Sequence, residues 1–216
     1  MGLAREELDR LAGFDSPTIA NAVEAIAERD CTDGYASVDL RCIYPDLPPV
    51  VGYAVTAKAT TTKPGPAVYN RNTAFWKAIE AAPKPAIAVI ESAGPGESRS
   101  CHVGDVMATL AQRLGVVAFV CSGGVRDYQA VREEAPGMQM FAKGLVVAHG
   151  IPQFIEVGCT VDICGMMVQQ GDLLHGDANG ILTIPLDIVD RVAGEAAKVM
   201  SHEDACRRYA RGGEFT

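Results

Sequence analysis

The sequence predicts a single α/β domain spanning residues 1–216, and three observations carry that expectation. Over 104–127 an apolar pattern at helical spacing (Val106, Leu110, Leu114) breaks at Gly115 and becomes an unbroken apolar run over 116–121. That is a helix followed by a buried strand. Apolar residues make up 48% of the chain and aromatics only 6%, with many Ala, Val and Gly, as in closely packed α/β layers. No stretch of the 216 residues has the Ser-, Gly- or charge-rich composition of a linker.

The elements follow in order. A short helix over 4–11 leads to Phe14-Asp15-Ser16-Pro17, where Ser16 as N-cap and Pro17 in the first turn announce a second helix to about residue 29, with Ile19, Val23 and Ile26 inward. A loop with Asp30, Asp33 and a cluster of prolines precedes a strand over 50–60. The Thr- and Pro-rich residues 60–66 read as an exposed turn, 68–82 as a helix carrying Phe75 and Trp76, and 85–90 as a buried strand. Gly94, Pro95 and Gly96 mark a loop that delivers the chain to the central helix. After the strand, Ser122-Gly123-Gly124 reads as a sharp turn that ends it, with Arg126-Asp127 starting the next helix. Strands are expected over 138–142, 145–148, 161–164 and 166–168, then a turn-dense hairpin over 171–180 and a closing strand over 181–185. A last helix spans 186–210. No repeat of twenty to fifty residues recurs, which excludes a solenoid.

Charge and composition exclude several classes. A net charge of −8 disfavours nucleic acid and anionic membrane surfaces as partners. No apolar run is long enough to span a bilayer and the start is charged and amphipathic, so a soluble cytoplasmic protein is expected. The cysteines (31, 42, 101, 121, 159, 164, 206) are odd in number and never spaced Cys-x-x-Cys, so reduced thiols are expected rather than disulfides or a zinc site. Cys121 closes a strand with no His nearby in sequence, which favours a core role over a nucleophilic one.

Two polar sites flank the central helix–strand unit, Asp105 on one side and Arg126-Asp127 on the other, both at expected helix N-termini. Such termini offer unpaired N–H groups to an anion, and an Asp beside them suits a hydrated cation. The competing reading is that Asp105 and Asp127 are simple N-caps, the commonest role of Asp before a helix. An Arg at a glycine-lined turn fits a pocket better than open solvent. His149 and His175 read as loop groups, whereas His102, three residues before Asp105, reads as a pocket neighbour. Lys143 before Gly144 is the one candidate for Schiff-base chemistry, against an exposed turn.

Asp105, twenty intervening residues and Arg126-Asp127 resemble the signature of the family that joins 4-hydroxy-4-methyl-2-oxoglutarate aldolase with regulator of ribonuclease activity A, often labelled demethylmenaquinone methyltransferase-like. Phe14-Asp-Ser-Pro-Thr, Gly52-Tyr-Ala-Val-Thr-Ala and Gly171-Asp172 with Gly176-Asp-Ala-Asn-Gly-Ile-Leu-Thr-Ile-Pro extend the likeness over about residues 14–185. The resemblance implies an α/β sandwich around a β-barrel-like core, similar to swivelling phosphohistidine domains, with terminal helices, assembled as trimers or hexamers with shared sites. It implies a metal-dependent aldolase and oxaloacetate decarboxylase acting on a small 2-oxo acid. In that reading Asp127 holds Mg²⁺ or Mn²⁺ largely through water, Arg126 lies against the keto oxygen, and Gly104 with the N–H groups of Val106 and Met107 receives the pyruvyl carboxylate. Asp105 orients the water that takes or returns the proton, and Glu203 reaches a neighbouring subunit's site. The family also contains protein inhibitors of ribonuclease E, and that role is the alternative. A methyltransferase is the weakest reading, since no Gly-rich loop after a first strand is followed by a ribose-binding acid. The chain departs from the expected pattern at Ser122, where an Asp is usual, and at Asn179, where a second Asp is usual.

Overall fold

The computed structural model describes residues 2–61, 69–94, 96–213 and 215. The expected turn over 60–66 falls mostly outside them. The chain runs α1 (Arg5–Leu11), α2 (Ser16–Ile26), β1 (Arg41–Cys42), β2 (Val50–Thr60), α3 (Tyr69–Ala81), β3 (Ala86–Ser92), a short 3-10 turn (Glu97–Arg99), α4 (Asp105–Arg113), β4 (Val116–Val125) and α5 (Tyr128–Glu134). It continues through β5 (Gln139–Leu145), β6 (Gln153–Val157), β7 (Val161–Ile163), β8 (Met166–Val168), β9 (Leu173–Asp177), β10 (Gly180–Ile184) and α6 (Val189–Arg211).

The main sheet has the order β1-β5-β4-β3-β2-β9-β10, with β6 added beside β2. Strands β2, β3, β4 and β5 are mutually parallel; the other pairings are antiparallel. The sheet curls into a nearly closed barrel. Phe141 from β5, Ile87 and Val89 from β3, and Leu174 and Ile181 from the far hairpin share one interior cluster, which β7 and β8 cover with Val161, Ile163, Met166 and Val168. Gly176 permits this closure, because a Cβ there would lie 2.7 Å from the Phe141 ring.

Period-two alternation places the neighbouring residues on the outer face. Ala86, Ala88 and Ile90 of β3 join Phe119 and Cys121 of β4 and Met140 of β5 under α3, α4 and α5, where Phe75 stacks on Phe154 at 4.4 Å between ring centroids. A separate cluster seats α1, α2 and α6 on Val51, Tyr53, Leu173, Leu182 and Ile184. The α/β class, the barrel-like core and the terminal helices therefore match the expectation from sequence. Among the described residues no helix is long and apolar enough to cross a membrane.

Several local expectations are corrected. Asp15, not Ser16, caps α2 by accepting the Thr18 N–H at 2.8 Å, and the helix ends at Ile26. Ser16 turns inward instead: its N–H donates to Asp177 Oδ2 at 2.9 Å and its hydroxyl to His175 Nδ1 at 3.0 Å, while His175 Nε2–H donates to Leu11 O at 3.2 Å. His175 is thus a buried tie between α2 and the closing hairpin, not a loop group. On α4 the buried face is Ala108 and Ala111, and Val106 and Leu110 are exposed. The expected strand over 145–148 is the end of β5 followed by a loop, and the short strands β1 and β6 arise where no strand was expected.

Candidate functional site

Strand β4 does not stop at Ser122; it continues through Gly123 and Gly124 to Val125. Neither glycine has positive φ. Their role is close approach: a Cβ on Gly123 would overlap the Ser92 and Ser100 hydroxyls, and one on Gly124 would lie 2.8 Å from Val146. The absent side chains let 100–103 run alongside the strand, with Gly124 N–H donating to Ser100 O at 2.9 Å, Cys101 bridging Gly124, and Arg126 N–H donating to Val103 O at 3.1 Å. The segment leading into α4 is therefore stitched to the end of β4, which carries Arg126 and Asp127.

Asp127 occupies the N-cap position of α5 but makes no side-chain cap bond, and it adopts a left-handed backbone at φ 59, ψ 41. Asp is one of the few non-glycine residues that visit this region, at a cost of about 1–2 kcal/mol. The simple capping reading of Asp127 is thereby set aside. Its Oδ2 faces away from α5, 3.0 Å from Arg126 Nε and 3.4 Å from the Asp105 N–H at the start of α4. Gly104 makes this possible, since a Cβ there would overlap Asp127 Oδ2 and lie 3.2 Å from Arg126 Nε. Asp105 turns its own Oδ1 to the Val106 N–H at 2.8 Å. The first turn of α4 thus already receives two carboxylates, which shows it to be receptive to anions.

Gly104, Asp105 and Arg126 line a cavity of about 130 Å³ formed by residues 101–107, Arg126, His149 and Pro152; Asp127 is paired with Arg126 but does not itself line it. A single water needs only roughly 10–15 Å³, so a small organic acid has room. The structure brings Gly104, Asp105, Val106, Met107, Arg126, Asp127 and His102 together. His149 and Pro152 come from the loop after β5, and no sequence pattern tied them to this place; His149 donates from Nδ1 to Gly150 O at 2.6 Å.

Other candidates lie elsewhere. Lys143 pairs with Glu97 at 2.5 Å in a second cavity with Glu91, Ser92, Ser122, Asp162 and Cys164, which shares no residue with the first. The hydrogen bond from Glu97 raises the Lys143 pKa, which opposes the neutral amine a Schiff base needs. Ser122 accepts the Ser92 N–H at 2.9 Å on that same side, so its departure from Asp does not alter the lining of the Arg126 cavity. Cys121 is fully buried, and burial pushes its thiol pKa up, which leaves it inert. Asn179 donates its N–H to Asp177 Oδ1 at 2.8 Å in the hairpin turn. Glu203 is on the exposed end of α6, paired with Arg207 at 3.0 Å; within one chain it does not line the cavity.

His102 is 6% exposed, and burial lowers its pKa from 6.5 to about 4. Burial lowers that of His175 as well. Between the folded and unfolded values of His102 the unfolded chain binds the extra proton, so stability is full above pH 6.5 and falls as pH drops toward 4. The shift corresponds to about 3 kcal/mol. Urea unfolding at pH 7 and pH 5 should show the drop, smaller in His102→Phe; an undiminished drop in that variant would remove His102 as its source.

Residues 17–183 match the family profile described as RraA-like, Aldolase/RraA. The chain belongs to the RraA-like family. The matched span contains Gly104, Asp105, Arg126 and Asp127 and leaves out all of α6. A curated relative from Halalkalibacterium halodurans, named "Putative 4-hydroxy-4-methyl-2-oxoglutarate aldolase", is 28% identical over 138 residues, covering 63% of this chain and 64% of the relative. Protein DlpA of Legionella pneumophila is 28% identical over 141 residues, covering 62% of this chain and 22% of that protein. The chain thus spans less than two thirds of either relative. Among solved structures, an RraA-like protein of Streptomyces coelicolor, RraAS2, described as an unusual member of the RNase ES inhibitor RraA protein family, superposes with TM-score 0.74 at 20% identity, covering 96% of this chain and 98% of that one. A Pseudomonas syringae protein superposes with TM-score 0.77 at 21% identity, covering 99% and 92%. At identities this low the superpositions show a shared fold.

Proposed function

We propose that this RraA-like protein is a divalent-metal-dependent lyase that cleaves 4-hydroxy-2-oxo acids to pyruvate and also decarboxylates oxaloacetate. The observation that carries the reading is the cavity lined by Arg126 and the anion-receptive start of α4, with the Asp127 carboxylate 3.0 Å from Arg126 Nε and Gly104 clearing the space between them. In both reactions the bond at C3–C4 breaks and its electron pair becomes a pyruvate enolate. In aldol cleavage the C4 hydroxyl loses its proton and C4 leaves as a carbonyl compound; in decarboxylation C4 leaves as CO₂. A proton returned to C3 completes either reaction.

The chain's own groups divide the task. The N–H groups of Val106 and Met107 hold the pyruvyl carboxylate, which takes over the place that Asp105 Oδ1 fills at 2.8 Å from the Val106 N–H. The Arg126 guanidinium faces the keto oxygen, where negative charge develops. Asp105, released from Val106, orients the water that accepts and returns the proton. Asp127 is the residue that would hold Mg²⁺ or Mn²⁺. Among the described residues no three His, Cys, Asp or Glu side chains gather as a ligand set, which suits an ion that keeps most of its waters and takes one or two carboxylates. When bound, the ion supplies Lewis-acid polarisation of the substrate's keto oxygen.

The site belongs to a homotrimer or homohexamer in this reading. Val106 and Leu110 expose 66% and 51% of their surface beside the cavity, apolar area that a second subunit covers, and Glu203 on the outlying end of α6 is the group a neighbour would contribute. Treatment with a chelator should abolish pyruvate formation from oxaloacetate, and Mg²⁺ or Mn²⁺ should restore it. Activity that survives chelation and is trapped by borohydride would move the chemistry to a lysine. A chain inactive on both substrates with either metal, yet binding a ribonuclease tightly, would replace the lyase by an inhibitor.

A further inference from the structure

The inner face of the barrel changes character at the carboxyl ends of its parallel strands. Val89 of β3, Val120 of β4 and Phe141 of β5 are register partners within the apolar interior. Ile90, Cys121 and Ala142, the next partners along, turn to the outer core. One residue further, alternation returns Glu91, Ser122 and Lys143 to the inner side, and all three line the second cavity, of about 210 Å³. Cys121 pairs with Ala142 and Gly124 with Gly144, so Ser122 and Gly123 together oppose Lys143, and β4 carries a bulge here. Bulges at barrel rims re-aim side chains next to binding sites. The mouth of a barrel and the carboxyl ends of parallel strands are preferred places for small ligands. The β7–β8 unit closes the far side, where the Asp162 N–H donates to Glu91 Oε2 at 2.8 Å.

The polar groups of this cavity are only partly paired with one another. Lys58 lies 3.4 Å from Glu91, and Lys143 lies 2.5 Å from Glu97. Asp162 accepts the Gly165 N–H at 2.7 Å but has no ion pair among the described residues, so three carboxylates stand against two ammonium groups. Ser122 is only 4% exposed; its Oγ accepts the Ser92 N–H at 2.9 Å, and its own O–H finds no acceptor among the described residues. An unused hydroxyl donor and an uncompensated carboxylate call for a ligand that brings an acceptor to the first and positive charge to the second. An anionic ligand reaching Lys143 would be set against the Glu97 carboxylate. A metal ion would find no set of three His, Cys, Asp or Glu ligands among the described residues. A hydroxyl oxygen accepts from Ser122 without repulsion, and an ammonium group donates to Asp162.

We propose that this cavity is a binding site for a small hydroxylated amine. The ligand's ammonium group lies between Asp162 and Glu91, and its hydroxyl oxygen accepts from Ser122 and from an N–H of Lys143 that Glu97 does not use. The site stands apart from the lyase reading, because the two cavities share no residue.

Isothermal titration of the full chain with serinol, an amine flanked by two hydroxymethyl groups, tests the proposal. Saturable binding with a Kd of about 1 mM or tighter is expected. Glycerol, which lacks the ammonium group, isopropylamine, which lacks the hydroxyls, and L-serine, which carries a carboxylate in place of one hydroxymethyl, should each bind about tenfold more weakly or worse. Ser122→Ala should weaken serinol binding about tenfold, and so should Asp162→Asn, which keeps an oxygen for the Gly165 N–H and removes only the charge. Arg126→Ala should bind serinol as the wild type does. Serinol that gives no saturable heat, an equal affinity for any of the three analogues, wild-type affinity in either cavity variant, or loss of binding in Arg126→Ala would each overturn the proposal and leave the lyase reading standing.

Discussion

Arg126→Ala should lower kcat/KM for oxaloacetate and for 4-hydroxy-4-methyl-2-oxoglutarate by about 10²–10³-fold with little change in Tm. Removing one preorganised contact to a developing oxyanion costs about 2.7–4 kcal/mol of barrier. The folded state loses far less. The Arg126 side chain is one-third exposed and, among the described residues, its one ion pair is with its sequence neighbour Asp127, and such a pair contributes roughly 0–1 kcal/mol. The anchoring bond of this residue is its backbone N–H to Val103 O at 3.1 Å, which alanine keeps. Arg126→Lys should recover only part of the activity, because an ammonium lacks the planar fork that meets oxygen at a fixed angle. Turnover by Arg126→Ala at the wild-type rate would remove Arg126 from the chemistry. A loss that tracks unfolding would assign it a structural role instead.

Gly104→Ala should be nearly as damaging, though the change adds one methyl group. Gly104 sits at φ −137, ψ −168, extended backbone that alanine adopts without strain. The new Cβ would nonetheless overlap Asp127 Oδ2 and crowd Arg126 Nε at 3.2 Å. Asp127 must then swing away from the start of α4, and a misplacement of about 1 Å in a reacting constellation can cost about 10²-fold. The expected signature is reduced turnover joined to a raised requirement for Mg²⁺, with Tm within a few degrees of wild type. Metal titration of activity and thermal unfolding check it together. Normal metal dependence in this variant would mean that Asp127 need not hold its observed place.

The residues that meet around the cavity were legible in the chain because their spacing straddles one helix–strand unit: Gly104-Asp105 opens α4, and Arg126-Asp127 directly follows β4. What spacing did not convey was the form of the junction. Glycines at 123 and 124 suggested a turn, since sequence alone cannot separate a glycine that needs positive φ from one that needs an absent side chain. The left-handed backbone of Asp127, which turns its carboxylate from its own helix toward Asp105, leaves no trace in composition. His149 and Pro152 were out of reach because a loop reaches a cavity through tertiary contacts and not through periodicity. On α4 the periodic residues Val106 and Leu110 suggested the inner face, yet the residues buried there are Ala108 and Ala111, with Met107 and Leu114 partly buried against the same core. Strands β1 and β6 are short and exist through their partners, which explains their absence from any local pattern.

The divider between the two cavities includes main chain: residues 100–103 lie along the glycines of β4, with Ser100 bonded toward Ser92 on one side and His102 lining the Arg126 cavity on the other. Main-chain hydrogen bonds survive most changes of the side chains that flank them. Mutations that re-line the Glu91 and Lys143 side therefore leave the frame of Arg126 and Asp127 untouched, and the reverse holds as well. The two faces can drift on separate clocks, one under selection while the other accumulates neutral change. Only Gly123 and Gly124 are tied to both histories, because any side chain at either position would push the divider itself.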